Sequence, residues 1–251
     1  MAKPPAEISR RLRAVVGRAL HPEFFFVNVG ANDGISNDPI YPFLCEHGWR
    51  GIAVEPLEDL FAELARNYRR FPGVILERAA ISPDVRPLYY IAAAGTYERA
   101  WTKQVGSLDR DVLLQTIDRM RTYQFDGVVP PDLEQRIARV DVPCLTFDQL
   151  MEKHRAARAD FINVDAEGLD YEIVRSIDLP RWRPQILCIE TAAMAPAHRD
   201  DLERRFAAHG YVFLEPFDVF SSVWVRRAIA PGPVSRMLRG VRAGVRAALG
   251  R

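Results

Sequence analysis

The sequence predicts a single α/β domain of the Rossmann-like kind, with a mostly parallel sheet covered by helices on both faces. Two observations lead there. Strand and helix patterns alternate along most of the chain, and the strands are continuous apolar runs rather than alternating ones, which is how a sheet buried on both sides reads. At 251 residues the chain suits one domain of the larger kind, or one with modest additions.

The elements follow in order. Phe24 to Val29 is an apolar run ending at a glycine and reads as the first strand. A helix over Ile40 to His47 precedes a second strand at Gly51 to Glu55. Leu60, Phe61, Leu64 and Tyr68 recur at helical intervals, giving a helix over Leu57 to Phe71, and Val74 to Ala80 is a third strand. Leu88 to Ala93 is expected as a strand on the periphery of the same sheet. Phe161–Val164, Gln185–Ile189, Tyr211–Leu214 and Ser222–Val225 complete the strands, with helices near Tyr171–Ile177 and Arg199–His209. The turn around Pro216–Asp218 makes the last two strands an antiparallel hairpin at one edge. Residues 95–141 break the rhythm with dense charge and the VVPPD step at 128–132. An insertion after the third strand sits near the carboxyl ends of the strands, so it is expected as a lid or acceptor-recognition segment, with a plain helical elaboration as the alternative.

Composition bounds the function. Hydrophobic residues make up 48% of the chain and charged ones 27%, enough for a real core. A net charge of +1 argues against a general nucleic-acid binder, which needs a concentrated basic face. Cys45, Cys144 and Cys188 lie far apart without CxxC spacing; the last two sit in apolar runs and read as buried thiols. No apolar stretch reaches the ~20 residues that span a bilayer, and no signal-peptide core precedes the first strand, so a cytoplasmic protein is expected.

Charge gathers at the ends. Residues 1–22 read as a basic helical arm, carrying Lys3, Arg10, Arg11, Arg13 and Arg18 against Glu7. Residues 230–251 carry Arg236, Arg239, Arg242, Arg246 and Arg251 and no acid, with Val234, Leu238, Val241, Val245 and Leu249 at helical spacing. Such a basic amphipathic helix can dock on its own domain, build a homodimer, or lie at the inner face of an anionic membrane beside a lipid-linked substrate. The central domain is expected over residues 23–229.

Four strand ends carry the chemistry. FVNVGANDG at 26–34 ends a strand at Gly30 and turns tightly at Gly34. It has one glycine fewer than a dinucleotide fingerprint, so a pyrophosphate fits poorly, whereas Asn32 and Asp33 suit a smaller ligand with an ammonium and a carboxylate. Glu55, ending the next strand about twenty residues on, can accept both hydroxyls of an adenosine ribose. FINVDAEGLD at 161–170 carries Asp165 and Glu167 to the sheet edge, as a general base, as ligands for a hard cation such as Mg²⁺, or as receptors for a sulfonium; Asp170 reads as a helix-start residue. Glu190 in ILCIET ends the next strand and should lie beside Asp165. His154 is a weaker candidate base, more often a solvated helix-end residue.

These pieces, with GWRGIAVEP at 48–56 and AIS at 80–82, resemble the FkbM family of S-adenosylmethionine (SAM)-dependent methyltransferases from about Phe24 to Arg227. The resemblance implies the class I methyltransferase fold, a seven-stranded sheet in the order 3-2-1-4-5-7-6. It implies methyl transfer to a hydroxyl oxygen, usually of a sugar or a polyketide-type metabolite. By position, Asn28, Gly30, Asn32, Asp33 and Gly34 would line the methionine end of SAM, Glu55 its ribose, and Ala80, Ile81 and Ser82 its adenine. Many relatives have aspartate where this chain has Asn28. Asp165 is the first candidate for base or metal ligand, with Glu167 and Glu190 behind it; a metal site would draw on Asp165 and Glu190. The expected acceptor is a small molecule or glycolipid. Two other readings stay open: an NAD-dependent oxidoreductase on similar topology, and a non-catalytic SAM-fold module.

Overall fold

The structure, a computed structural model, describes residues 8–92, 100–123, 129–191, 194–218 and 220–231. The expected amphipathic helix of residues 230–251 lies outside the described residues from 232 onward.

In chain order the elements are α1 (Arg10–Ala19), β1 (Phe25–Val29), α2 (Tyr41–His47), β2 (Arg50–Val54), α3 (Glu58–Tyr68), β3 (Val74–Glu77), β4 (Ala80–Ile81) and β5 (Pro87–Ile91). The 95–141 region holds α4 (Ala100–Gln104), β6 (Gly106–Ser107), α5 (Arg110–Tyr123) and β7 (Ile137–Asp141). Then come β8 (Cys144–Leu145), α6 (Phe147–Lys153), β9 (Phe161–Val164), α7 (Asp170–Ser176), α8 (Leu179–Trp182) and β10 (Ile186–Glu190). The chain closes with α9 (Pro196–Ala208), β11 (Tyr211–Pro216) and β12 (Ser221–Arg226).

Seven strands form the main sheet in the order β11-β12-β10-β9-β1-β2-β3. Numbered by their own succession, they read 6-7-5-4-1-2-3 across the sheet. The sheet is mixed: β12 runs antiparallel to both β10 and β11, while β10, β9, β1, β2 and β3 pair in parallel. Side chains alternate across it with the period of a strand. Val27, Val29, Ile52, Val54, Ile162, Val164, Leu187 and Ile189 face the layer of α6, α7 and α9. Phe26, Ala53, Phe161, Ile186 and Cys188 face α1, α2 and α3.

Two expected strands behave differently. The run 74–80 is not one strand: β3 stops at Glu77, and Ala80–Ile81 leave the main sheet to pair with β8. Nor does β5 join the main sheet's edge; it is the centre of a separate three-stranded sheet, β6-β5-β7. That small sheet and α5 enclose a core of their own, from Ile91, Val105, Leu113, Ile117, Val129 and Leu133.

The helix in the basic N-terminal segment packs on the domain. Ser9 caps α1, and Leu12, Val15, Val16 and Ala19 are buried against the sheet while its arginines face out. Helix α6 begins in a reciprocal capping box between Thr146 and Gln149. Cys188 is buried as expected, Cys144 half-buried and Cys45 exposed. Among the described residues no helix is long and apolar enough to cross a membrane.

Candidate functional site

Parallel strands direct their carboxyl ends to one edge, and in an open α/β sheet that edge carries the ligand crevice. Here β1, β2, β9 and β10 end around a cavity of about 430 Å³, within the usual range for small-molecule sites. The loop after β1 is its floor. Gly30 has φ +77°, and a Cβ built on it would stand 1.7 Å from the Asp165 carbonyl oxygen. Only a glycine lets the ends of β1 and β9 approach so closely. The Gly30 and Ala31 amides both donate to the Val54 carbonyl, at 3.0 and 2.9 Å, which ties the loop to β2.

Glu55 follows directly on β2. It is 5% exposed, its Oε2 accepts the Asn32 amide at 2.9 Å and its Oε1 the Leu57 amide at 2.9 Å. Burial raises its pKa to about 7, and the two amide hydrogen bonds pull the other way. Ala80, Ile81, Leu57, Leu88 and Leu108 give the wall beyond Glu55 an apolar surface.

The opposite end is acidic. Asp165, Glu167 and Glu190 all line the cavity, joined by Asp218 from the β11–β12 turn. Burial holds Asp165 well above the ordinary carboxylate range, and the neighbouring Glu167 adds to it. Glu190 is raised in the same way, and its Oε2 is buried with no hydrogen-bond partner. From α5, Arg119 and Thr116 roof this end, with Arg119 Nη2 donating to Thr116 Oγ1 at 2.7 Å.

Gly30, Asn32, Glu55, Ala80, Ile81, Asp165, Glu167 and Glu190 all line this one cavity. Four other residues stand behind the wall. Asp33 spends its carboxylate locally: Oδ1 accepts the Ile35 and Ser36 amides and Oδ2 the Ser36 hydroxyl. Gly34, at φ +76°, lies under α3, where a Cβ would meet Leu64 and Tyr68 at 2.5 Å. Ser82 is buried, its amide bonded to the Leu145 carbonyl and its hydroxyl facing the Asp84 amide. Asn28 is wholly buried within β1, behind the cavity residues Asp38 and Asn163 to which it is hydrogen-bonded. His154 pairs with Glu77 at 2.8 Å. Asp170 closes the turn after β9 by accepting the Ala166 and Gly168 amides.

Asp38 is one of several cavity residues that the motifs did not give, with Thr116, Arg119, Asn163 and Asp218. It follows no glycine and ends no strand; its Asp-Pro step reads as an ordinary turn. Among the described residues no group of three or more histidines, cysteines, aspartates and glutamates is placed to hold a metal ion. The expected Mg²⁺ site on Asp165 and Glu190 therefore has no third protein ligand of that kind among them, and it is not carried further.

An open, mixed α/β sheet with a glycine-floored cavity at its carboxyl edge defines a Rossmann-like small-molecule domain. The FkbM methyltransferase domain matches residues 28–213, and the chain belongs to that family. Among solved structures, a methyltransferase FkbM from Methylobacillus flagellatus KT is 13% identical with a TM-score of 0.46, covering 81% of this chain and 43% of that one. The chain thus spans less than half the length of that protein. The N-terminal domain of human METTL16 in complex with SAH is 11% identical with a TM-score of 0.41, over 85% of this chain and 66% of that one. A precorrin-6y C5,15-methyltransferase from Geobacter metallireducens GS-15 is 15% identical with a TM-score of 0.37, over 85% and 77%. No curated protein matches the chain.

Proposed function

We propose that the chain is a SAM-dependent O-methyltransferase, acting on a hydroxyl of a sugar in a glycolipid, a polysaccharide or a secondary metabolite. The observation that carries this reading is Glu55: a buried strand-end carboxylate, fixed by two backbone amides, on the wall of a cavity whose next wall is apolar. That is a receptor for a ribose with a base beside it. The fit extends to the floor, where the glycine approach of β1 to β9 leaves backbone rather than side chain against the ligand.

Bound SAM supplies an electrophilic methyl group on a sulfonium. The chain's own residues must align the acceptor oxygen and take its proton as the C–O bond forms and the C–S bond breaks. Asp165 is the residue for that proton: it lines the cavity at the carboxyl end of β9, and burial raises its pKa, which strengthens it as a base. Glu190, with an unpartnered oxygen, and Glu167 share the cavity with it and would orient the acceptor. Carboxylates at this end favour a ligand rich in hydroxyl donors, which supports a sugar acceptor.

Titration calorimetry of the whole chain with SAM and with NAD⁺ tests the reading. Saturable binding of SAM without a response to NAD⁺ is expected, followed by methyl transfer from labelled SAM into glycolipid fractions. Binding of NAD⁺ alone would overturn it.

A further inference from the structure

Asn28 and Asp38 form a buried pair that the reaction above does not use. Asn28 Nδ2 donates to Asp38 Oδ2 at 2.7 Å, and Asn28 Oδ1 accepts from Asn163 Nδ2 of β9 at 2.8 Å. An ionised carboxylate only accepts, so the Asn28 amide can face it only through nitrogen. Asp38 Oδ1 is held by the Ile40 and Tyr41 amides at 2.6 and 3.1 Å, and the Tyr68 hydroxyl stands 3.5 Å from Oδ2. These donors are all neutral. They fix the carboxylate without supplying the positive charge that a buried anion needs. Burial accordingly pushes the Asp38 pKa up to about 7.

Asp38 lines the cavity, and its supports come from β1 and β9, whereas Glu55 stands at the end of β2. Two buried carboxylates, one in the loop between β1 and α2 and one just past β2, suit an extended ligand with a cationic part at the first and a polyhydroxyl part at the second. We infer that Asp38 receives the ammonium group of the methionyl part of SAM, with Asn28 as the positioning residue that aims it from behind. The assignment rests on the SAM reading given above.

Calorimetry on the full chain with three ligands tests it: S-adenosylhomocysteine, its analogue lacking only the α-amino group, and 5′-methylthioadenosine, which lacks the amino-acid part. A charge-assisted hydrogen bond predicts that the wild type binds S-adenosylhomocysteine about tenfold or more tighter than the deamino analogue. In Asp38→Asn that preference should fall to about threefold or less, with 5′-methylthioadenosine binding unchanged. Asp38→Ser keeps a capping oxygen for the Ile40 and Tyr41 amides and serves as a second variant should the first not fold. Asn28→Ala should lower the same preference. Glu55→Gln should instead weaken all three ligands alike. A wild-type preference preserved in both Asp38 variants overturns the assignment, as does an equal loss for all three ligands. A wild type that binds none of them overturns the SAM reading as well.

Discussion

Glu55 Oε2 and the Asn32 backbone nitrogen lie 2.9 Å apart across 23 residues of sequence, joining the end of β2 to the turn after β1. One carboxylate therefore does two things: it presents oxygens to the cavity and holds the floor loop in shape.

Replacing Glu55 separates those tasks. Glu55→Ala should weaken SAM by roughly tenfold to a hundredfold, the worth of hydrogen bonds to a charged group, while the fold survives. Calorimetry with SAM, alongside a circular dichroism spectrum, checks it; undiminished affinity would remove the ribose assignment.

Asp165 is expected to matter for turnover rather than binding. Asp165→Asn should lower methyl transfer by about a hundredfold or more, the usual worth of a general base, with SAM affinity held within about threefold. Wild-type rates from that variant would take it off the list of catalytic residues.

The ligand-free protein should lose stability between about pH 5 and pH 7. Asp38 and Glu55 rise from 3.8 and 4.5 to about 7 on folding, because burial disfavours their charged forms. The folded chain then binds more protons than the unfolded one across that window, so stability is greatest below it and lost as pH climbs through it. Each group contributes at most about 3 kcal/mol to the change. The carboxylates with lowered values, Asp160 beside Arg158, Glu77 beside Lys153 and His154, Glu134 beside Arg121 and Asp201 beside Tyr171 and Arg175, are largely ionised in both states there and do not offset the slope. Thermal unfolding at pH 5.5 and pH 7.5 should show the lower midpoint at the higher pH. A midpoint that rises instead contradicts the assignment.

Gly30→Ala should destabilise the domain by about 3 kcal/mol or more, since the new methyl group would coincide with the Asp165 carbonyl oxygen at a positive φ. Urea unfolding measures it; a shift under about 1 kcal/mol would show that the ends of β1 and β9 can part cheaply.

What was legible in the sequence follows from how local each signal is. Val27, Ile52 and Ile162 lie in short apolar runs closed by glycine, an acid or proline, so the strands and their ends could be placed. Glu55, Asp165 and Glu190 came with them, because a strand end fixes which edge a side chain reaches. Asp33 was misplaced by attending to its charge; its bonds to Ile35 and Ser36 are two and three residues away and mark a turn-former. Asp38 was invisible because its place depends on Asn28, 10 residues before it, and through Asn28 on Asn163, 135 residues beyond Asn28. The run after Val74 looked continuous, yet Arg78 and Ala79 turn the chain toward β8, a partner more than sixty residues on that no local pattern announces.

The small core of Ile91, Val105, Leu113, Ile117, Val129 and Leu133 sits apart from the two that flank the main sheet, beside Arg119, Thr116 and Met120 on the cavity roof. Substitutions that reshape the roof therefore draw on the stability of that subsidiary core, whereas the floor between β1 and β9 rests on the main sheet.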